Sequence, residues 1–259
     1  MKLKHFNNMK TAIITGATSG IGEACAKRLA SEGWRLIITG RREDKLKKLV
    51  NELKEKFYTE TLPLVFDVRD EHQTITYLSN LPETWKDIDL LINNAGLASG
   101  LEPLQDGDTE DWNKMIDTNI KGLLYVSKQI MPLMIERRKG HIINLGSIAG
   151  KEVYPNGVVY CATKHAVDAI SKGMRLDLVP YGIKVSQICP GAVETEFSVV
   201  RFHGDKNKAD NVYKGFTPLN GDDIADVIAY IVNLPDHVCI NDIVVMPKAQ
   251  ASAYVTHKV

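Results

Sequence analysis

Tyr160 and Lys164 stand four residues apart in Tyr160-Cys161-Ala162-Thr163-Lys164, a spacing that puts both on one side of a helix. A lysine cation so placed would stabilise tyrosinate and lower the phenol's pKa, which suits Tyr160 to proton exchange near neutral pH. Ser147 ends the strand-like run before this helix and can hydrogen-bond both a reacting oxygen and Tyr160. The three groups together suit a hydroxyl/carbonyl conversion in which Tyr160 moves the proton while a nicotinamide exchanges hydride with the carbon. The pair alone is weak, because helices contain Tyr/Lys pairs at this spacing by chance and a tyrosine also packs with its hydroxyl wet. Asn119, inside a long helical region upstream, can link Lys164 to water through side-chain contacts; without the other elements, its reading as a locally bonded helix asparagine is the stronger one.

The elements that must position these groups alternate along the chain. Lys10 to Thr15 reads as a short buried strand, and Trp34 to Thr39, Leu62 to Phe66, Ile88 to Ile92, His141 to Leu145, Ile183 to Ile188 and Ile240 to Met246 read as further short strands. Helical patterns lie between them: the glycine turn through about Glu32, Arg41 to Phe57, Glu71 to Leu81, Trp112 to Arg138, Val158 to Leu178, and Ile224 to Leu234 after Gly221-Asp222-Asp223. Pro132 is expected to bend or interrupt the fourth of these. This alternation predicts an α/β fold, a parallel sheet covered by helices on both faces. No repeat or low-complexity linker divides residues 1–259, so one domain is expected.

Between the first strand and helix lies Gly16-Ala17-Thr18-Ser19-Gly20-Ile21-Gly22. Small residues there let a backbone approach a dinucleotide, and the helix's free N–H groups favour pyrophosphate. The G-x-x-x-G-x-G spacing departs from the G-x-G-x-x-G fingerprint; in isolation it reads equally as a tight turn, and its strand and helix neighbours favour the phosphate site. The second strand ends Thr39-Gly40-Arg41-Arg42, with no acidic residue there for an adenosine ribose. An arginine at this point pairs with a ribose 2′-phosphate, so NADPH is favoured over NADH. The competing reading has Arg41 and Arg42 solvating the next helix, where their charge opposes its dipole. Asp67 can accept from an adenine amino group or serve a strand-end turn, and Asn93-Asn94-Ala95-Gly96 is either a contact or a structural turn.

Composition excludes some classes. The 32 basic and 32 acidic residues balance, which gives no bulk attraction to nucleic acid or an acidic membrane. The four cysteines, Cys25, Cys161, Cys189 and Cys239, have no CxxC spacing, so free thiols are expected and no metal site. The apolar run after the basic start is too short for a secretory signal, and no stretch reaches transmembrane length; the expected location is the reducing cytoplasm.

The ordered set Thr15-Gly16-Ala17-Thr18-Ser19-Gly20-Ile21-Gly22, Asn93-Asn94-Ala95-Gly96, Asn119, Ser147, Tyr160-x-x-x-Lys164 and Pro190-Gly191 resembles the short-chain dehydrogenases/reductases over essentially the whole chain. The resemblance implies a doubly wound Rossmann fold with a seven-stranded parallel sheet. It implies that Asn119 supports a relay water, Ser147 orients substrate, Tyr160 is the acid/base, and Lys164 contacts the nicotinamide ribose. Thr195 resembles the residue that contacts the carboxamide. Cofactor contacts are thus expected from Gly16, Thr18, Ser19, Gly20, Ile21, Gly22, Arg41, Arg42, Asp67, Val68, Asn94, Ala95, Gly96, Tyr160, Lys164, Pro190, Gly191, Val193 and Thr195. A homotetramer packed through the two long helices is also implied.

The segment of about 191–220 reads as a loop covering cofactor and substrate. Arg201 within it can bind a substrate carboxylate bidentately or act as a surface or subunit-contact arginine, and on local sequence the second is favoured. The segment, with Asp223-Ile224-Ala225-Asp226 and Met246-Pro247-Lys248-Ala249-Gln250, resembles the NADP-dependent serine/3-hydroxy acid dehydrogenase branch. That branch implies oxidation of the β-hydroxyl of L-serine, L-allo-threonine, 3-hydroxyisobutyrate or 3-hydroxypropionate, and reduction of the matching semialdehydes. The alternatives are a broad NADPH-dependent carbonyl reductase and a nucleotide-binding regulator without catalysis. The tail of about 247–259, with weak periodicity, reads as an interface arm or a fraying end.

Overall fold

A computed structural model describes residues 9–259, and the basic start lies outside the described residues. In chain order the strands and longer helices are β1 (Thr11–Ile14), α1 (Gly20–Ser31), β2 (Arg35–Gly40), α2 (Glu43–Phe57), β3 (Thr61–Val65), α3 (Glu71–Ser79), β4 (Ile88–Asn93), α4 (Thr109–Ile116), α5 (Leu123–Arg137), β5 (Gly140–Leu145), α6 (Val158–Leu178), β6 (Ile183–Pro190), α7 (Glu196–Arg201), α8 (Lys206–Tyr213), α9 (Gly221–Val232) and β7 (Asp242–Val245). The seven strands form one sheet in the order β3-β2-β1-β4-β5-β6-β7. Every pairing is parallel.

Alternate strand residues face opposite sides, so each strand feeds two cores. Ala12, Ile14, Leu36, Ile38, Leu90 and Ile92 pack with Leu29 of α1, Leu46 of α2 and Ile228 of α9. Ile13, Ile37 and Leu91 point the other way, toward Ile130 of α5 and Val167 of α6. Burying a branched side chain of this size contributes about 1.5–3 kcal/mol, which explains why near-continuous apolar runs suit a sheet covered on both faces. Pro63 sits inside β3, tolerated because β3 is an edge strand with a free side. The strand order reverses between β1 and β4, where the connections leave to opposite faces and open a crevice at the carboxyl ends of the strands.

Three expectations change. The region Trp112 to Arg138 begins earlier, at Thr109, and contains a π-helical turn at Asp117–Gly122 between α4 and α5, whereas Pro132 leaves α5 continuous. The 191–220 segment contains two helices, α7 and α8, each capped by a side chain: Thr195 Oγ1 accepts from the Phe197 N–H and Asp205 from that of Lys208. The tail does not fray. The Val259 N–H donates to Gly215 O at 2.9 Å, and Gln250 Oε1 accepts from the Ala192 N–H at 2.8 Å, tying it to the covering segment.

Candidate active site

The carboxyl ends of β1, β4, β5 and β6 open into a cleft of about 760 Å³. Nearly all the residues singled out from sequence line it; Gly22 and Asn119 lie just behind. At one end the β1–α1 turn needs backbone that only glycine adopts readily: Gly16 and Gly20 have φ of +66° and +57°. Gly22 is required for space, because a Cβ there would meet Asn94 Nδ2 and Gly16 O. Asn94 holds this turn in place, donating from Nδ2 to Thr15 O and Gly16 O at 2.8 and 3.1 Å. Its side chain therefore shapes the cradle.

Arg41 and Arg42, the cations expected at the end of the second strand, both line the cleft. Arg42 Nη2 donates to Thr18 Oγ1 and Ser19 Oγ at 2.9 and 2.8 Å, so its guanidinium is fixed against the glycine turn. Arg41 is more exposed and approaches Asp67 at 3.7 Å. Asp67 is otherwise engaged by Arg69, which donates from its backbone N–H, Nε and Nη2. Burial pushes the Asp67 carboxyl upward, but the Arg69 bonds and charge prevail and hold it below its ordinary value. Val68 is buried beside Gly122, at the π-helical turn.

The chemical groups meet at the other end. Tyr160 and Lys164 project from the first turns of α6, both mostly buried, and Ser147 follows β5 with extended backbone, its Oγ accepting from the Ala149 N–H at 3.1 Å. Lys164 Nζ donates to Leu145 O at 2.8 Å and lies 6.0 Å from the Tyr160 ring centroid. Asn119 sits in the π-helical turn, a distortion that recurs at functional sites. Its Oδ1 accepts from the Leu97 N–H, while Nδ2 donates to Leu97 O and Thr163 Oγ1. The carboxamide thus splices the loop after β4 to α6.

The electrostatics correct one expectation. Burial raises the Tyr160 phenol well above its ordinary value, Tyr154 adds to the rise, and the Ser147 hydrogen bond and the Arg201 charge oppose it. Lys164 is held on the Leu145 carbonyl, and any lowering of the phenol by its charge does not outweigh that burial. Burial brings Lys164 itself down to about 8. Tyr160 is consequently a neutral hydroxyl at pH 7, in the state to donate a proton, beside an ammonium that remains charged there.

Arg201 lies against Tyr160. Its guanidinium carbon is 5.7 Å from the Tyr160 ring centroid and 5.4 Å from that of Tyr154. Nη2 donates to the Tyr154 hydroxyl at 2.9 Å and Nε to Gly100 O at 3.2 Å. Tyr154 escaped sequence reading because it precedes α6 in an irregular loop with no periodicity to mark its direction. Phe197 packs edge-on to Tyr160 at 5.6 Å, and Gln250, Tyr254 and Lys258 of the tail also line the cleft; no sequence pattern places these there.

A doubly wound parallel sheet with a glycine cradle at its reversal point and a Ser/Tyr/Lys group facing it defines a dinucleotide-dependent oxidoreductase. Residues 10–205 match the family described as short chain dehydrogenase, and the chain belongs to that family. It is 46% identical over 240 residues to sulfoacetaldehyde reductase 2 of Chromohalobacter salexigens, covering 92% of this chain and 94% of that protein. It is 46% identical to an NADP-dependent 3-hydroxy acid dehydrogenase of Salmonella typhi over 242 residues, 93% of this chain and 96% of the other. Among solved structures it is similar to the closed form of a serine dehydrogenase complexed with NADP+, with TM-score 0.90, 41% identity, and coverage of 96% and 99% of the two chains.

The cleft fits NADP(H): the glycine cradle lines it, and Arg41 and Arg42, also on its wall, offer the kind of donors a 2′-phosphate draws on. When bound, NADP(H) supplies or accepts the hydride. The four cysteines are free, and the described residues contain no helix long and apolar enough to cross a membrane and no cluster able to hold a metal.

Proposed function

We propose that this NADP-dependent oxidoreductase interconverts the β-hydroxyl of small 3-hydroxy acids, among them L-serine, L-allo-threonine, 3-hydroxyisobutyrate and 3-hydroxypropionate, with the corresponding carbonyl. The observation that carries the substrate class is Arg201, a cation aimed along the Tyr160 and Tyr154 rings beside the proton-transfer hydroxyl. Arg201 anchors the carboxylate, which sets the β-carbon before Tyr160. Ser147 hydrogen-bonds the reacting oxygen. In reduction the neutral Tyr160 hydroxyl gives its proton to the substrate oxygen as hydride reaches the carbon; in oxidation the tyrosinate form takes the hydroxyl proton, and Lys164 supplies positive charge behind the site. The relatives named for a 3-hydroxy acid, serine and sulfoacetaldehyde activity share substrates with an acidic group near the reacting carbon.

Gly16 to Gly22 would hold the cofactor's pyrophosphate, Arg41 and Arg42 its 2′-phosphate, and Lys164 and Thr195 its nicotinamide end. Asn94, Gly96, Pro190, Gly191 and Val193 shape the cleft between. The chain works as one domain with 191–220 as its covering segment. Exposed apolar residues on the long helices, Ile116, Leu124, Val158 and Leu176, support the homotetramer, which light scattering on the purified protein would test. Free cysteines support a cytoplasmic location.

Arg201→Ala tests the substrate assignment. A charge-assisted bidentate contact contributes about 1.5–3 kcal/mol, so kcat/KM for 3-hydroxypropionate or L-serine should fall by roughly 10- to 150-fold, with a much smaller change for a neutral alcohol of equal length. An equal loss for both substrates would refute the carboxylate anchor and favour a broad carbonyl reductase.

A further inference from the structure

Helix α7 carries opposite charges at its two ends, and they face different parts of the cleft. Arg201, the last residue, lies against Tyr160. Glu196, the first, reaches across to α2. Its Oε2 accepts from Arg42 Nη1 at 2.6 Å and its Oε1 from Lys45 Nζ at 2.5 Å. Arg42 is the guanidinium that Thr18 and Ser19 fix against the glycine turn, and both Arg42 and Glu196 line the cofactor cleft. The two cations hold the Glu196 carboxyl down at about 2 although partial burial pushes it upward, so it is an anion at any working pH.

A carboxylate and a phosphate monoester draw on the same donors, the N–H groups of guanidinium and ammonium. We propose that Glu196 is an internal competitor for the 2′-phosphate: it occupies Arg42 and Lys45 in the free protein and yields them to the phosphate, so that NADP(H), and not NAD(H), releases the N-terminal end of α7. The inference rests on the reading that Arg41 and Arg42 receive the 2′-phosphate. Coupling of this kind is reciprocal: the hold of Glu196 on α2 weakens phosphate binding by the factor by which phosphate weakens that hold. Because α7 is six residues long, about 9 Å, release at Glu196 acts on the same short rod that carries Arg201. Glu196 is thereby a specificity residue that links the correct cofactor to the position of the substrate anchor.

Side chains of Glu196, Arg42 and Lys45 are each 43–44% exposed, and ion pairs so exposed are individually weak. The effect of removing the competitor is therefore about three- to tenfold in dissociation constant, not an on/off change. Calorimetric titration of wild type, Glu196→Gln, Arg42→Ala and the double variant with NADP+, NAD+, adenosine 2′,5′-bisphosphate and AMP tests this. Glu196→Gln should tighten NADP+ and the bisphosphate by that factor, leave NAD+ and AMP unchanged, and lose its gain in the Arg42→Ala background. In the wild type the bisphosphate, which has no nicotinamide end, should raise deuterium uptake in the peptide spanning 195–202, and AMP should not. Unchanged or weaker binding of both phosphorylated ligands to Glu196→Gln, an equal gain for NAD+, or no added uptake with the bisphosphate would overturn the proposal. The underlying reading fails separately, if Arg41→Ala and Arg42→Ala each leave the preference for NADP+ over NAD+ intact.

Discussion

Replacing Lys164 by methionine keeps the volume of a buried side chain and removes its charge. The ammonium is buried with Leu145 O as its hydrogen-bond acceptor, and burial brings its pKa from the ordinary 10.5 to about 8. At 1.36 kcal/mol per pKa unit, keeping this lysine charged below pH 8 costs about 3 kcal/mol of folding stability. Between pH 8 and 10.5 the unfolded chain holds a proton that the folded chain has released, so wild-type stability rises with pH through this window relative to the methionine variant. Methionine relieves the burial of charge but strands the Leu145 carbonyl, a loss of about 1–3 kcal/mol. The two nearly cancel at pH 7, where wild type and Lys164→Met should unfold at similar urea concentrations. By pH 10 the variant should lag by about 2 kcal/mol or more, because only the wild type gains from deprotonation. Urea titrations of the cofactor-free proteins at pH 7, 8, 9 and 10 measure the difference. Parallel stability curves across this range would refute the account of Lys164 as a cation held in the site against its burial.

Tyr160→Phe removes the proton-transfer hydroxyl and keeps the edge-on packing on Phe197, so turnover should fall by at least about a hundredfold while NADPH affinity measured by fluorescence stays within about threefold. Substantial remaining turnover would contradict the role of Tyr160. Asp111, buried on α4, accepts from Ser99 Oγ at 2.7 Å and pairs with His203 Nε2 at 2.9 Å, which clips the segment after Arg201 to α4. Burial pushes its carboxyl upward, but Ser99, Lys114 and His203 hold it below the ordinary value, so its contribution is present at neutral pH and is lost as pH falls below about 4. Asp111→Asn should therefore reduce stability by about 1–3 kcal/mol at pH 7 and raise KM for a carboxylate substrate more than it lowers kcat. Matched unfolding curves at pH 7, or a loss confined to kcat, would show that this clip does not position Arg201.

Strand and helix order was legible because most of the β-strands are built around apolar runs flanked by turn signals, and a parallel sheet buried on both faces demands such runs. The glycine turn, the Ser147, Tyr160 and Lys164 group and the arginines after β2 were also readable, since each depends on residue type and spacing within one local element. The spacing of Tyr160 and Lys164 correctly put both into one cleft. It did not contain the burial that raises the Tyr160 phenol and lowers the Lys164 ammonium, because burial is set by the surrounding fold. Asn119 was visible as a residue but not as part of a π-helical turn that carries it to Leu97 and Thr163. Tyr154, the Glu196 bridge to Arg42 and Lys45, and the tail against the covering segment were invisible for a common reason. Each joins residues far apart in sequence through side-chain direction or isolated backbone bonds, without a repeating pattern. The sequence by itself determined the architecture and the identity of the reacting groups; which charge stands beside Tyr160, and what closes over the cofactor cleft, was decided only when the chain folded and α7 crossed from α2 to the loop at Gly100.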